Sequence, residues 1–564
     1  MNIDGRNLTA AAPQPDNLTA WYDSLLADFD AAGTDEERRV LIDAWDKKRK
    51  EIHTWSALAQ LRFFQDTANE QARAAKQERD ELVPMITEQE NRFKQRLLDD
   101  TKRAGLEQEF GAYAFGLWKT GVDAFDTANM EDMVATSKLA SEYTKLLSGA
   151  SFEVFGEQLN LNGLAPYAED PDRQVRYEAE AARWGWFNDN GAELDRIFDG
   201  LCALRHRMAG RLGFDHFTPV GYMNMRRIDY GPDEVASFRD EVLREVVPVV
   251  VELRAKQAEH LGVDKLMYWD EGVLDPEGNP KPIGDPPTLV GKAQSMFDAM
   301  GKGKEEGLGS FFGLMREQHL MDLVDRPGKA PGGFCTKFPT YGVPFVFANF
   351  NGTTHDVDVL THEIGHAYQG RRSRAKPLLD YQNPTSESAE IHSMSLEFLC
   401  SPHMEIFFEK DADRYRRHHL TQRFMFLAYG VTVDHFQHKI YAQPDASSAQ
   451  RHGIWKELEA RYMPWRDFGD LQHPAKGGFW QRQRHIYMRP FYYIDYTLAL
   501  TCALQFWVWS LDDYDGAMEA YTTLCARGGE APFSELVKSA GLRSPFEPGC
   551  LKETAAKVRE RLLD

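Results

Sequence analysis

Residues 355–370 read HDVDVLTHEIGHAYQG and contain two histidines and a glutamate whose spacing is suited to metal chemistry. His362 and His366 are four residues apart, and on a helix such positions share one face, so both imidazoles can bind one metal ion. Zinc is the usual occupant of an H-E-x-x-H helix, and Glu363 is then placed to accept a proton from a zinc-bound water. The motif predicts a zinc peptidase.

The residues around the motif favour a helix rather than a chance match. Val357, Val359 and Leu360 before the motif and Ala367 and Tyr368 after it form an apolar stripe with polar interruptions, a pattern typical of a buried amphipathic helix. Gly365 stands between the two histidines, although glycine is a poor helix former by about 1 kcal/mol relative to alanine. Its position therefore indicates close packing against another element.

A catalytic zinc needs a third protein ligand beside an open position for water. The segment PTSESAEIHSMSLEFLC offers Glu387, Glu390, His392 and Glu397, while Asp380 is nearer but lies in a Pro-containing basic loop. The three glutamates share one face of a predicted helix, so we expect one to bind the metal and another to hydrogen-bond a ligand histidine. Helix spacing alone does not choose between the three glutamates.

The H-E-I-G-H motif followed by Ala389-Glu-Ile-His-Ser393 resembles the M3 family of zinc metallopeptidases, which includes thimet oligopeptidase and the oligoendopeptidase F group. In that pattern the third ligand is a glutamate about two dozen residues after the motif, with a serine three positions on. The match places the ligand at Glu390 and the serine at Ser393. The segments 204–213 and 344–352 also resemble oligoendopeptidase F-like proteins, and the likeness covers about residues 170–510.

The resemblance implies an endopeptidase that hydrolyses internal bonds of short, unfolded oligopeptides. His362, His366 and Glu390 would bind one Zn²⁺, and Glu363 would act as the general base. The resemblance also implies a mainly helical, two-lobed shell around a deep channel, with a small β-sheet next to a zincin-type pair of catalytic helices.

Peptide hydrolysis places negative charge on the carbonyl oxygen, which a preorganised donor can stabilise. Residues 485–496 read HIYMRPFYYIDY, and in the M3 pattern a histidine followed by a Tyr-rich stretch lines the substrate side of the zinc. The resemblance assigns this role to His485, Tyr493 and Tyr496. The sequence departs from the thimet-type pattern just after the histidine, where Tyr-Met-Arg-Pro replaces a glycine-rich stretch, so Tyr492 competes for the same role.

Two other functions fit parts of the pattern. A zinc dipeptidyl carboxypeptidase or metallocarboxypeptidase shares H-E-x-x-H with a distant glutamate. A non-catalytic helical interaction protein with a structural zinc is more remote, because structural zinc prefers four protein ligands, usually including cysteine.

The rest of the chain is predicted to be mostly helical. Long helices are expected at Thr34–Asp66, where Thr34 and Glu37 form a capping box, and at Asn69–Lys102. Further helices are predicted for residues 130–147, 172–188, 195–260 with a turn at 210–213, 290–326, 496–511 and most of the chain after 387.

Just before the motif the pattern changes to β-structure. Gly332–Phe338 and Val343–Phe350 are predicted strands joined by a turn, and an edge strand here could hold an extended peptide by main-chain hydrogen bonds. We divide the chain into an N-terminal helical domain, residues 1–195, and a catalytic M3-like domain, residues 196–564.

Composition narrows the possible partners and the location. The 564 residues carry a net charge of −21, which argues against nucleic-acid and anionic-membrane partners. Six cysteines without a C-x-x-C pair, and no secretion signal within Met1–Trp21, predict a cytoplasmic protein with free thiols. The most apolar run, 496–511, is too short for a membrane span, and the oligomeric state stays open.

Overall fold

A computed structural model of the chain describes residues 3–101, 103–303 and 305–564. The protein is mainly α-helical with a small sheet, as predicted. Its contacts divide the chain into two compact units, and each unit uses several separate stretches. The predicted boundary between residues 195 and 196 is a different partition and stays a prediction.

The helices and strands up to residue 260 are α1 (Pro15–Ala31), α2 (Asp35–Gln65), α3 (Glu70–Leu98), α4 (Arg103–Phe110), α5 (Ala112–Asp123), α6 (Met130–Ser148), β1 (Phe152–Val154), β2 (Glu157–Leu159), α7 (Ala165–Ala168), α8 (Arg173–Asp189), α9 (Gly191–Arg211), α10 (Thr218–Asn224), α11 (Pro232–Glu241) and α12 (Val247–His260).

The elements from residue 286 to residue 399 are α13 (Pro286–Gly301), α14 (Leu308–Glu317), β3 (Met321–Val324), β4 (Phe334–Phe338), β5 (Val343–Phe350), α15 (Thr354–Ser373), α16 (Leu379–Gln382) and α17 (Ser386–Leu399). The remaining helices are α18 (Glu405–Phe408), α19 (Ala412–Tyr441), α20 (Ser448–Tyr462), α21 (Gln472–Ala475), α22 (Arg484–Met488), α23 (Tyr493–Asp512), α24 (Tyr514–Arg527), α25 (Phe533–Ser539) and α26 (Lys552–Leu562).

The first unit comprises residues 1–127, 281–412 and 502–542, and it contains the H-E-x-x-H helix α15. Its N-terminal helices pack around an aromatic core in which Trp45 contacts both Phe93 and Trp118. Thr34 and Glu37 cap α2 reciprocally, as predicted. The predicted end of α3 at Lys102 lies outside the described residues; α3 itself ends at Leu98.

The sheet of the first unit has the strand order β3-β5-β4, so β4 is an edge strand. β4 and β5 form the predicted antiparallel hairpin, in register from Phe334 opposite Phe347 to Phe338 opposite Val343. β5 is almost entirely buried and leads directly into α15, so the sheet supports the start of that helix.

Two short strand pairings were not predicted. β3 lies inside the stretch 290–326 that we expected to be helical, and it pairs in parallel with β5 from Met321 opposite Val346. β1 and β2 form a two-stranded antiparallel hairpin in the stretch between the helices predicted at 130–147 and 172–188, for which no strand was predicted. Strands of three or four residues are too short to show a period of two in the sequence.

The second unit comprises residues 128–280, 413–501 and 543–564. An aromatic cluster lies in its interior, where Trp480 contacts both Phe198 and Tyr487. The predicted apolar helix near residue 496 is present as α23, and the division between the units falls within it, after Thr501.

No helix in the described stretches combines the length and apolar character that a membrane span requires. The six cysteines are free; five are buried, and Cys335 on β4 is half-buried.

Candidate active site

The two histidines of the motif lie on one face of α15, as their spacing predicts. The helix begins after a turn in which the carboxylate of Asp356 accepts the backbone N–H groups of Asn351 and Gly352 at 2.9 and 2.7 Å. Further along the same helix, the rings of His362 and His366 have centroids 5.0 Å apart. Both side chains keep part of their surface exposed, 19% and 18%.

The third member of the cluster comes from α17. The Oε2 atom of Glu390 lies 3.2 Å from Nε2 of His362 and 3.3 Å from Nε2 of His366. The hydroxyl of Ser393 donates to the same oxygen at 2.9 Å, so the carboxylate is held from its own helix. Among the described residues, these three side chains form the one group whose donor atoms are close enough to hold a metal ion.

Close packing of α15 on α17 makes this cluster possible. A Cβ atom on Gly365 would lie 2.6 Å from the backbone oxygen of His392 and 2.6 Å from Cα of Ser393. Any side chain at this position would therefore collide with the backbone of α17. The glycine between the two histidines serves the close approach that its sequence position indicates.

Glu397, also on α17, holds the other nitrogen of the first histidine. Nδ1 of His362 donates to Oε1 of Glu397 at 2.7 Å, and the Glu397 side chain is fully buried. This contact fixes the ring orientation and leaves Nε2 facing Glu390. The expectation that a second glutamate would hydrogen-bond a histidine of the pair agrees with this contact.

The other candidates for a third ligand lie outside the cluster. Glu387 and His392 are buried on α17 but do not belong to the metal-competent group. The carboxylate of Asp380 accepts hydrogen bonds from Arg49 and from the indole of Trp118.

The electrostatics of the cluster favour a bound cation. Burial lowers the pKa of His362, but the carboxylates of Glu390 and Glu397 outweigh burial and raise that pKa to about 10. Burial opposes ionisation of Glu390, yet His366 and His362 hold the pKa of Glu390 well below its usual value. Two carboxylates therefore concentrate negative potential on the histidine pair.

The cluster fits zinc in donor type and in spacing. Two imidazole nitrogens and one carboxylate oxygen are a common catalytic zinc set that leaves a fourth position open. A tetrahedral ion with bonds of about 2.0–2.1 Å separates its ligand atoms by about 3.3 Å. The observed separations of 3.2 and 3.3 Å agree with this value.

Glu363 lies beside the cluster with one oxygen available for proton transfer. Its side chain is buried, and among the described residues Oε2 has no hydrogen-bond partner. Burial raises the pKa of the Glu363 carboxyl, although the neighbouring histidines oppose the shift. A carboxyl group with a raised pKa is suited to accept a proton and release it again.

The edge strand begins next to this glutamate. Gly333 directly precedes β4, and a Cβ atom there would lie 3.5 Å from Oε1 of Glu363 and 3.2 Å from Cγ1 of Val359. The start of β4 is therefore packed against α15 at the level of Glu363.

His485 and the tyrosines near it belong to the second unit, where they form a compact aromatic group. The His485 ring lies with its centroid 5.5 Å from Tyr492, 5.1 Å from Tyr493 and 5.8 Å from Tyr496. Tyr492 and Tyr493 are buried, whereas His485 and Tyr496 are half-buried. Partial exposure makes His485 and Tyr496 better placed than Tyr493 to contact a ligand.

Gln483 orients the His485 ring. The sequence did not indicate this contact, because a spacing of two residues has no characteristic side-chain pairing on a helix. The Tyr429 hydroxyl donates to Oε1 of Gln483 at 2.7 Å, which turns the amide NH₂ toward Nδ1 of His485 at 2.7 Å. Because Nδ1 then accepts a hydrogen bond, the proton of the neutral ring lies on Nε2.

Comparison with known proteins relates this site to a peptidase family. The sequence model described as peptidase family M3 matches residues 311–556, and the model described as the peptidase M3 N-terminal domain matches residues 6–125. A comparison with curated proteins found no match.

Among solved structures, the chain is 39% identical to Pz peptidase A, which was solved with an inhibitor, over 99% of both chains at a TM-score of 0.95. It is 40% identical to a protein assigned as oligoendopeptidase F, over 99% of this chain and 98% of the other, also at 0.95. A protein assigned as oligoendopeptidase F from Bacillus anthracis strain Ames is 37% identical, with coverage of 99% and 98% and a TM-score of 0.90. The chain therefore belongs to peptidase family M3 and is an oligoendopeptidase F-like metallo-oligopeptidase.

Proposed function

We propose that the protein is a zinc-dependent endopeptidase that hydrolyses internal bonds of short, unfolded oligopeptides. The observation that carries the proposal is the cluster of His362, His366 and Glu390 with the unpartnered buried oxygen of Glu363 beside it. A three-ligand set with an adjacent base is typical of hydrolytic zinc sites, whereas structural sites use four protein ligands.

His362, His366 and Glu390 would hold the zinc, which supplies Lewis acidity toward water and toward the peptide carbonyl when bound. Glu397 and Ser393 keep the ligands in place through their hydrogen bonds to His362 and Glu390. Glu363 accepts a proton from the attacking water and then transfers it to the leaving amine, which cannot depart as an anion.

We assign His485, Tyr493 and Tyr496 as donors to the carbonyl oxygen, where negative charge develops. The hydrogen bond from Gln483 supports this role, because it places the proton of the neutral His485 ring on Nε2, the nitrogen that would donate to the carbonyl oxygen. The half-buried phenol of Tyr496 is a suitable second donor. Tyr492 remains the competing tyrosine.

We also propose that β4 binds the substrate as an added strand. β4 is an edge strand that starts beside Glu363, so a peptide paired with it would pass the proposed base. Main-chain pairing selects extended, unfolded chains, which agrees with an oligopeptide substrate. A deep channel that excludes folded proteins would add to this selection.

A cytoplasmic location is part of the proposal, and the free state of all six cysteines supports it. The net charge of −21 supports peptide rather than nucleic-acid partners.

The test is to incubate peptides of graded length, with free or amidated C-termini, with and without a chelator, and to map the cuts by mass spectrometry. Internal cuts that persist on amidated peptides and vanish with the chelator are expected. A requirement for a free C-terminal carboxylate would instead identify a dipeptidyl carboxypeptidase or metallocarboxypeptidase.

The Glu363→Gln variant tests the base separately from the metal. We expect it to bind zinc stoichiometrically but to lose about 10²- to 10⁴-fold in kcat, the usual contribution of general-base catalysis. Glu387→Gln is the matched control, because it neutralises a buried carboxylate outside the cluster. A Glu363→Gln variant with near wild-type kcat would remove Glu363 as the base.

A further inference from the structure

The loop of residues 374–385, with the short helix α16, joins the two helices that hold the three proposed ligands. His362 and His366 precede it on α15, and Glu390 follows it on α17. The position of this loop therefore influences where the Glu390 carboxylate lies relative to the histidine pair.

Charged side chains of helix α2, from the N-terminal part of the same unit, bind this loop. The Arg49 guanidinium donates to both carboxylate oxygens of Asp380, at 2.6 and 3.2 Å. Asp46, one turn earlier on α2, accepts the backbone N–H of Leu379 at 2.9 Å. Arg49, Asp46 and Asp380 are all buried, so solvent and salt screen these contacts much less than they screen ion pairs on the surface.

Residues at the end of α4 and on α5 hold the same turn from a second direction. The indole N–H of Trp118 donates to Asp380 at 3.2 Å. The hydroxyl of Tyr381 donates to the backbone oxygen of Phe110, and its ring stacks on Tyr113 with centroids 6.4 Å apart. All of these partners lie within the stretch 6–125 that matches the M3 N-terminal domain.

Ionic contacts of this kind specify one arrangement. Arg49 also lies 3.3 Å from Asp46 and 3.7 Å from Glu90, so its charge is surrounded by carboxylates. The free-energy cost of removing such charges from water offsets most of their mutual attraction, so apolar side chains would stabilise the contact between α2 and the loop about as well. A two-pronged arginine–carboxylate contact, in contrast, permits only one relative orientation of the two groups.

We propose that Arg49 and Asp380 are positioning residues for the metal centre, and we call this pair the Arg49–Asp380 clamp. The N-terminal domain, through the clamp, holds the loop between α15 and α17 so that Glu390 stays at ligand distance from both histidines. This inference rests on the proposed zinc site. It assigns to the N-terminal domain a role in metal affinity in addition to its role in the fold.

A small shift of the loop after loss of the clamp should be enough to weaken metal binding, because metal–ligand distances tolerate only about 0.2 Å of change. Loss of contacts that orient ligands typically weakens metal binding by about 10- to 100-fold. We expect Asp380→Asn in the full-length protein to raise the zinc dissociation constant by about tenfold or more.

The matched control is Asp100→Asn. Asp100 pairs with Arg38 at 3.2 Å, and both side chains are buried, so this is a second buried ion pair of α2 within the same unit. The pair joins α2 to the chain just after α3, not to the loop between the ligand helices. The control variant should lose thermal stability to a similar degree and keep its zinc dissociation constant within about twofold.

The zinc dissociation constants of wild type and both variants are measured by competition with a chromogenic chelator at 25 °C, after circular dichroism confirms that each apo protein is folded. Thermal unfolding of the apo proteins gives the structural loss separately. If Asp380→Asn does not fold, Arg49→Lys replaces it, since lysine keeps the charge but cannot make the two-pronged contact. Either variant should weaken zinc binding beyond the control.

An unchanged zinc dissociation constant in the clamp variant, or an equal change in the Asp100→Asn control, would overturn the positioning role while leaving the proposed zinc site intact. A wild-type protein that binds no zinc would overturn both proposals together. Stoichiometric zinc without peptide hydrolysis would reject the proposed function and would leave the clamp supported if the variants differ as expected.

Discussion

Replacing Gly365 by alanine should loosen the metal centre by pushing two helices apart. The added methyl group would lie 2.6 Å from both the backbone oxygen of His392 and Cα of Ser393. Comfortable carbon contacts need about 3.5 Å, so the helices must separate by about 0.9 Å at this point. Because both neighbours are backbone atoms of α17, no side-chain rotation can relieve the overlap.

A separation of about 0.9 Å exceeds the roughly 0.2 Å that metal–ligand distances tolerate. Glu390 lies one helical turn before Ser393, so it moves with the displaced part of α17. We expect the zinc dissociation constant of Gly365→Ala to rise by about 10- to 100-fold. Overpacking lowers the free energy of unfolding by about 1–3 kcal/mol, whereas the better helix propensity of alanine raises it by about 1 kcal/mol. The net loss of stability is therefore at most about 2 kcal/mol.

Chelator competition and urea unfolding measure the two effects separately. The control is Gly291→Ala on α13, where an added Cβ meets nothing within 4 Å. That variant should be stabilised by up to about 1 kcal/mol and should bind zinc as the wild type does. Wild-type zinc affinity in Gly365→Ala would refute the reasoning that the helix crossing sets the ligand geometry.

Three further predictions address other parts of the molecule. Glu397→Gln weakens the hydrogen bond that orients His362 and should raise the zinc dissociation constant about tenfold; a change below twofold would contradict this. Tyr496→Phe should lower kcat by about 10²-fold with a smaller effect on KM, and an unchanged kcat would exclude Tyr496 as an oxyanion donor. Burial raises the pKa of Glu459 from 4.5 to about 7, so wild-type stability should fall by at most about 3 kcal/mol as the pH rises through this window. The Glu459→Gln variant cannot lose a proton here, so its stability should not show this fall. The stability of Glu459→Gln minus that of wild type, measured by urea unfolding, should therefore be larger at about pH 8 than at about pH 5. An equal difference at both pH values would contradict the raised pKa of Glu459.

Features that depend on neighbouring residues along the chain were predictable. The one-sided placement of His362 and His366 follows from helix periodicity, and the capping of α2 by Thr34 and Glu37 follows from their three-residue spacing. The β4–β5 hairpin was predictable because both strands and their turn are contiguous. The resemblance to the M3 pattern selected Glu390 as the third ligand. In the structure, Oε2 of Glu390 lies 3.2 and 3.3 Å from the Nε2 atoms of His362 and His366.

Features that depend on the crossing of separate elements were not predictable in this way. Periodicity places Glu387, Glu390 and Glu397 on one face of α17 but cannot say which of them meets α15, because it relates positions within a single helix. The crossing point at Gly365 decides this, and it brings Glu390 to Nε2 and Glu397 to Nδ1 of the same histidine.

Pairings between distant stretches needed the tertiary structure for the same reason. β3 is too short to show a period, and only its pairing with β5 makes it a strand. Asp380 looked like a possible metal ligand in a basic loop, but its partner Arg49 comes from 331 residues earlier in the chain. The sequence by itself therefore determined the chemistry available, the histidine pair and its glutamates, because residue type and local spacing are enough for that. Only the packing of α15, α17 and the N-terminal helices decided which carboxylate faces the proposed metal position, which one orients a histidine and which one pairs with Arg49 of α2.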